Sequence, residues 1–387
     1  MKKAKLICVI LVMAFLCATA LSACNSSQPT ASAPSASAPE ASSAPEASSA
    51  PPAASESPGE PEFTIIFVSD RPENVAMGQF EAEGFKKIEE ESNGRIKIQP
   101  YWSGTFLESG DIFGGVSEGM ADICLNLIGQ NTGVQPVGDI LSMRFFMEMP
   151  DMDGRTEIYR RAIRQIPEIQ QELAVHNMYM LDLCSTPGSV LSFTDDFALQ
   201  VNKPEDLRGK VIQSSGYWTQ AAATVGISGL AMPPSEWYTN LQLGIIDAMG
   251  MNWPGNSDWG LCEISNSYVT FGNNGTFSSS GQSYNINLDT WNSLPPDLQQ
   301  ILVDGFIYIN DLLVQRDMDF QWEVRDREID ELGKIEQHIP ESEMQPWYDL
   351  ALLAVDMWKD DITSKGYDGQ RIFDDYSKIV SDVLAGR

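Results

Sequence analysis

The chain has 387 residues, with 54 acidic side chains against 25 basic ones and a formal net charge of −29. Acidity this strong excludes nucleic-acid binding, which draws on clustered Lys and Arg, and disfavours adhesion to anionic membrane surfaces. Residues 63–387 exceed the about 250–300 residues that one hydrophobic core serves, so two lobes are expected.

At the start, Lys2, Lys3 and Lys5 precede the apolar run 6–16, the order of a secretion signal. That run is shorter than the about 20 apolar residues a bilayer crossing needs. Leu21-Ser22-Ala23-Cys24 has the bacterial lipobox pattern. Residues 1–23 are therefore expected to be a signal peptide, leaving Cys24 as a lipidated N-terminus. Residues 25–62 are almost wholly Ala, Ser, Pro and Glu, with no aromatic or branched aliphatic side chain. Such a run buries too little apolar surface to offset its ordering entropy, so 24–62 is expected to be a disordered tether. Its reach is about 35 Å as a coil.

The folded part opens with a strand at 63–68 and a helix over 74–92, where Val75, Phe80, Phe85 and Ile88 recur near helical spacing. A strand at 95–101, a helix at 108–118 and a strand at 121–127 follow. This β-α-β-α-β order predicts a parallel, doubly wound lobe with ligands at the strand C-terminal ends. Residues 154–177 read as a helix interrupted near Pro167, and 178–184 and 190–193 read as strands.

From Asn202 to Asn252 the alternation becomes denser. Pro204 fixes the entry and Gly209 allows a backbone reversal before a strand at 210–213. A helix from Gly216 stops at Gly226, and a strand at 230–232 follows. Ser235 is expected to cap a helix over 236–243, closed by Gly244, ahead of a buried strand at 245–249. Strands at 268–271 and 283–287 then return the chain to the first lobe. Beyond Pro295 the pattern is helical: 296–332 carries Leu298, Ile301, Leu302, Phe306, Ile309, Leu312 and Leu313 at helical spacing. A helix of that length is expected to brace both lobes. Helices at 341–364 and 370–385 complete the chain, and His338 is expected in a charged helical stretch.

The Asn202–Asn252 segment closely resembles the extracytoplasmic solute receptors of TRAP (tripartite ATP-independent periplasmic) transporters. The resemblance rests on Pro-Glu-Asp-Leu-Arg-Gly at 204–209, Met-Pro-Pro-Ser-Glu-Trp-Tyr at 232–238 and Leu-Gln-Leu-Gly-Ile-Ile-Asp-Ala at 241–248. The section from Phe85 through Asp122 is also similar to the family's opening. The resemblance implies an α/β, two-lobed clamp of the periplasmic-binding-protein type, with a long bracing helix and C-terminal helices. Lobe I is then expected at 63–188 and 276–310, and lobe II at 189–275 and 311–387. It further implies a receptor that captures a small organic solute and delivers it to TRAP membrane permease subunits, with no cofactor and no catalysis. Contact with the membrane is expected only through the lipid anchor, on the extracytoplasmic side.

One position departs from the pattern. The family's arginine at the end of a lobe II strand, which grips a substrate carboxylate, is here Gln213. An amide offers neither the charge nor the two-pronged donor set of a guanidinium. The solute is accordingly an organic acid held elsewhere, with Arg71 or Arg144 as its partner, or an uncharged or amphipathic compound.

Enzyme signatures are sparse. His176 ends a helix, and no nucleophile elbow or phosphate-cradling loop is present. Asp151-Met152-Asp153-Gly154 lacks the third ligand position and distal Glu of a calcium loop, which leaves a turn. Cys124, Cys184 and Cys262 sit among apolar neighbours, as small buried hydrophobes or as one disulfide with a spare thiol. A tryptophan packs in the core by default. A pocket is expected where polar and aromatic residues follow strand ends: Gln213, Tyr217 and Trp218; Asn252, Trp253 and Pro254; Gln130 and Asn131; and Trp102 and Arg71. Competing readings are a receptor for an ABC importer, a secreted carbohydrate hydrolase with two cleft carboxylates, and a surface interaction protein without a small ligand.

Overall fold

A computed structural model describes residues 61–128, 133–143, 151–273, 275 and 280–387. The signal, Cys24, the tether up to residue 60, Gln130, Asn131 and Arg144 lie outside the described residues. The elements run β1 (Phe63–Val68), α1 (Ala76–Glu91), β2 (Ile96–Tyr101), α2 (Ile112–Ser117), β3 (Ile123–Leu127), α3 (Met152–Gln165), α4 (Pro167–Val175), β4 (Met178–Ser185) and β5 (Ser189–Phe193). They continue with β6 (Val211–Gln213), α5 (Gly216–Thr224), β7 (Ser228–Leu230), α6 (Trp237–Gln242), β8 (Ala248–Asn252), α7 (Trp253–Asp258), β9 (Ser267–Phe271) and β10 (Gly281–Asn287). The chain ends with α8 (Leu288–Ser293), α9 (Pro296–Asp326), β11 (Ile335–Ile339), α10 (Gln345–Ser364) and α11 (Gly369–Leu384).

Two sheets result. The first has the order β2-β1-β3-β10-β4 and the second β11-β9-β5-β8-β6-β7. The expected parallel β1, β2 and β3 are present, but β10 enters antiparallel between β3 and β4, so the first sheet is mixed. Of the two strands expected to return to the first lobe, only β10 does so. The other, β9, pairs with β5 and β11 in the second sheet.

Several local expectations shift, each for a physical reason. The strand placed at 245–249 forms at Ala248–Asn252. Gly244 adopts φ +69, and the amides of Ile245 and Ile246 both donate to the Asn240 carbonyl, so the helix-terminal turn extends past the glycine. Asp247 then binds the Val211 amide through its carboxylate at 2.8 Å, and the ladder starts after it. The strand placed at 230–232 is Ser228–Leu230, because Met232 leads into Pro233 and Pro234, which have no N–H to donate. Ser235 does not cap a helix through its side chain; a 3-10 turn at Pro234–Glu236 leads into α6. The helix at 108–118 is shortened to a 3-10 turn followed by α2. His338 stands on β11, not on a helix, with Nδ1 3.0 Å from the Thr270 hydroxyl. Asp151 accepts a hydrogen bond from the Gly154 amide at 2.9 Å and so caps α3.

The brace is α9, 31 residues and about 46 Å long. Its first half packs on α1 and β4, and its second half on α7. Where it crosses α1, Gly84 faces Ile309 and Gly305 faces Ile88, so the two backbones approach closely. Phe67, Phe85, Ile88, Tyr284, Phe306 and Ile309 form the centre of this core. α10 packs on α5, while α11 lies on α3, whose other neighbour is β4 of the first sheet. Cys124, Cys184 and Cys262 are free and buried. Among the described residues no helix is long and apolar enough to cross a membrane.

Candidate functional site

Between the two sheets lies an open cleft of about 930 Å³. Its walls come largely from strand ends, as parallel α/β packing dictates: the loop after β1, the end of β3, the β4–β5 crossing and the ends of β6 and β8. The middle of α9 forms part of the lining through Leu313, Arg316 and Asp317.

Six of the described residues predicted from sequence meet here: Arg71, Gln213, Tyr217, Trp218, Asn252 and Pro254. Arg71 is half-buried, and its Nη1 donates to Gln282 Oε1 at 3.2 Å. Among the described residues no carboxylate lies within ion-pair distance of it. Gln213 ends β6, in register with Leu230 and Met249, and its amide makes no side-chain hydrogen bond to another described residue. Tyr217 donates its hydroxyl to Asp361 at 2.6 Å, which fixes the first turn of α5 against α10. Asn252 accepts the Gly255 amide through its side-chain oxygen at 2.7 Å as the cap of α7, and it lines the cleft.

Two predictions do not hold at the cleft. Trp253 follows Asn252 but turns inward, 2% exposed, with its ring 4.6 Å from Tyr268. α7 turns the Trp253 ring to the side facing Tyr268, away from the cleft, while Asn252 stays on the wall as its N-cap. Trp102 packs against Phe67 and Phe85, beside a separate shallow depression with Glu73 and Asn74.

Other lining residues escaped the sequence reading. Arg316 binds Asp317 at 2.7 Å and Asp258 at 3.2 Å, and lies 3.9 Å over the Phe320 ring. Burial pushes the Asp317 carboxyl up to about 6, against the pull of Arg316. A signal for it existed: Asp317 falls four residues after Leu313 on the buried stripe Phe306–Ile309–Leu313, where a charge needs a reason. Met232, Trp237 and Trp259 line the second-sheet side, with the two tryptophan rings edge to face at 5.5 Å. Asp139 also reaches the cleft, and burial pushes it up to about 7. Behind it Glu172 accepts the amides of Val137 and Gly138, both at 2.7 Å.

The electrostatic balance is lopsided. Two arginines face Asp70, Glu108, Asp139, Glu236, Asp258 and Asp317 across the lining, and one of the two is already neutralised. Among the described residues the cleft thus offers one guanidinium without a carboxylate partner at the first sheet, an uncharged amide at the second, and aromatic walls between.

A family model described as bacterial extracellular solute-binding protein, family 7, matches residues 71–358. A monocarboxylate 2-oxoacid-binding periplasmic protein of Nostoc sp. is 23% identical over 232 residues, which are 58% of this chain and 60% of that relative's length. Among solved structures, a TRAP solute-binding protein of Rhodoferax ferrireducens in complex with benzoate superposes with a TM-score of 0.71 at 18% identity, covering 84% of this chain and 99% of the other. A TRAP periplasmic solute-binding protein of Desulfovibrio salexigens with bound orotic acid gives 0.72 at 15% identity, covering 83% and 99%. A marine metagenome TRAP solute-binding protein specific for aromatic acids, in complex with 3-hydroxybenzoate, gives 0.72 at 16% identity, covering 84% and 99%. At these identities the likenesses establish a shared two-lobed α/β fold.

Proposed function

The chain belongs to family 7 of the bacterial extracellular solute-binding proteins, and from that premise we propose that it is a TRAP transporter receptor for a small aromatic or heteroaromatic acid with one carboxylate. The observation that carries this reading is Arg71: a guanidinium on the cleft wall with no carboxylate partner among the described residues. The carboxylate meets Arg71, the ring lies against Trp218 and the Trp237–Trp259 wall, and Gln213 with Asn252 meets a neutral polar group at the far end. The chemistry agrees with the benzoate, orotate and 3-hydroxybenzoate held by its structural relatives and with the monocarboxylate named for the Nostoc protein.

The cleft is at the upper end of the about 300–1,000 Å³ usual for ligand sites, so closure is needed to enclose a single ring. The lobes that close are 63–188 with 276–310, and 189–275 with 311–364, while α11, expected with the second lobe, lies on the first through α3. Ligand contacts to both lobes favour the closed form, and no bond is made or broken. The closed surface is then what the membrane permease receives. A calorimetric panel of benzoate, 3-hydroxybenzoate, orotate and 2-oxoacids against succinate and neutral sugars tests the reading. Binding of succinate or sugars in preference to every monocarboxylate sinks it.

Gln213 gives a sharper result. Gln213→Ala is expected to weaken the bound monocarboxylate about 3- to 10-fold, the range of one or two neutral hydrogen bonds, while leaving the melting temperature nearly unchanged. Gln213→Arg is expected to admit succinate, since the cleft then holds a guanidinium at each end. Unchanged calorimetric affinities in both variants would remove Gln213 from the site.

The N-terminal segment completes the proposal: cleavage before Cys24, lipid on its thiol, and 25–62 as a tether that lets the receptor reach the permease. Cys24→Ser is expected to move the mature protein from the membrane fraction to the soluble one. Retention on membranes after that change argues for another anchor.

A further inference from the structure

A fully buried carboxyl lies in the shell that also carries Arg71. Glu81, on the inner face of α1, has no exposed surface. Its Oε1 accepts the Tyr284 hydroxyl at 2.7 Å, and its Oε2 has no hydrogen-bond partner. Tyr284 Oη is also 3.3 Å from Met77 Sδ. Two residues earlier on the same face of β10, Gln282 directs Nε2 toward that sulfur at 3.9 Å and accepts Arg71 Nη1 through Oε1. The side chains Glu81, Tyr284, Met77, Gln282 and Arg71 therefore form one continuous path from the sealed core to the cleft wall.

We propose that Glu81 is a proton-binding site linked to solute capture: when a carboxylate settles on Arg71, Glu81 takes up a proton. The proposal rests on the reading that Arg71 holds the acid. Its physical basis is a shared charge. A buried carboxylate oxygen without a partner is costly when ionised, and a nearby positive charge offsets part of that cost.

The groups facing Glu81 are few. Arg71 and Asp70 face it from the loop after β1, with opposite signs, and Tyr284 faces it from β10. Behind Tyr284, β4 contributes Cys184. From α9, Asp317 also feels Arg71 but is tied directly to Arg316. Burial pushes Glu81 up to about 7, while the Tyr284 bond and Arg71 pull it down. A solute carboxylate cancels the Arg71 pull, so the Glu81 pKa rises further on binding. The sign follows by linkage: ligation that raises a pKa takes up protons, and affinity rises as pH falls through that value. Below the pKa of the ligand-free protein the effect saturates, because Glu81 is already protonated.

Calorimetry with benzoate and 3-hydroxybenzoate, in phosphate and in Tris at pH 7, counts the protons taken up. Net uptake is expected, with affinity about 3- to 10-fold tighter at pH 6 than at pH 8. Glu81→Gln keeps an acceptor for Tyr284 and is expected to abolish both the uptake and the pH dependence. Uptake that survives Glu81→Gln, or disappears instead in Asp317→Asn, overturns the assignment. A second arm needs no solute: carboxyl-carbon NMR of the ligand-free protein follows the Glu81 titration directly. Arg71→Met is expected to raise its midpoint, and an unmoved midpoint overturns the linkage even if benzoate binds. A raised midpoint with no binding of any monocarboxylate overturns the proposed ligand class alone.

Discussion

Arg71→Ala is expected to abolish useful binding of the monocarboxylate while the protein stays folded. Truncating one partner of a buried, hydrogen-bonded charge pair costs about 2–5 kcal/mol, or roughly 30- to 4,000-fold in affinity. The upper part of that range applies here because, among the described residues of the cleft, the other arginine, Arg316, is held by Asp258 and Asp317. The surrounding carboxylates add to the loss, since without Arg71 they repel the ligand. Folding is expected to change little, because the only side chain the Arg71 guanidinium bonds among the described residues is Gln282, at the cleft surface. Calorimetry with benzoate and a melting curve check both halves. Arg71→Lys separates charge from geometry: a lysine restores attraction but not the planar fork, so partial recovery is expected. Full affinity in Arg71→Ala places the carboxylate elsewhere.

Gly305→Leu is expected to be the most damaging single change in the brace. A Cβ at Gly305 would lie 2.3 Å from Ile88 Cγ1, and one at Gly84 would lie 2.2 Å from Ile309 Cγ1. Ile88 and Ile309 are both wholly buried, so neither can swing aside into solvent. Overpacking a filled core typically costs 1–3 kcal/mol and more where backbones must separate, so about 3 kcal/mol and a drop of roughly 4–5 °C are expected. The better helix propensity of leucine recovers only about 1 kcal/mol. Ile88→Ala combined with Gly305→Leu is expected to be less damaging than the sum of the two alone, since the alanine makes room for the leucine. Thermal unfolding of the four proteins settles this, and strict additivity contradicts the close-approach argument. Because α9 carries Arg316 and Asp317 to the cleft, weaker ligand binding should accompany the lost stability.

The two predictions differ in how far the sequence foresaw them. Arg71 follows the first strand in a β-α-β pattern, which placed it at a ligand position before any contact was known. Its freedom from a salt bridge was not foreseeable, because its neighbour Gln282 lies 211 residues away. The Gly84–Gly305 contact left no local trace at all: a glycine in a helix is locally a weak point, and only the crossing of α1 with α9 gives these two a purpose.

Trp253 shows the same limit at short range. A strand end marks a turn toward the cleft, but successive residues there point to different sides, and which side faces the opening depends on how α7 packs on α9. The strand at 248–252 slipped from its expected place at 245–249 because the Asp247 carboxylate reaches Val211, across 36 residues. An apolar run tells that a strand is near, while hydrogen bonds from distant backbone decide where it starts.

The sequence by itself determined the α/β alternation, the long brace, the acidic character and the replacement of the expected arginine by Gln213, because each is carried by neighbours along the chain. Tertiary structure alone decided that Arg71 has no carboxylate partner among the described residues, that Asp258 reaches Arg316, and that Glu81 lies sealed behind the cleft. Charge in a folded protein is set by what lies within a few ångströms, and those neighbours come from one residue away for Arg316 and Asp317 to about 200 residues away for Arg71 with Gln282 and Glu81 with Tyr284.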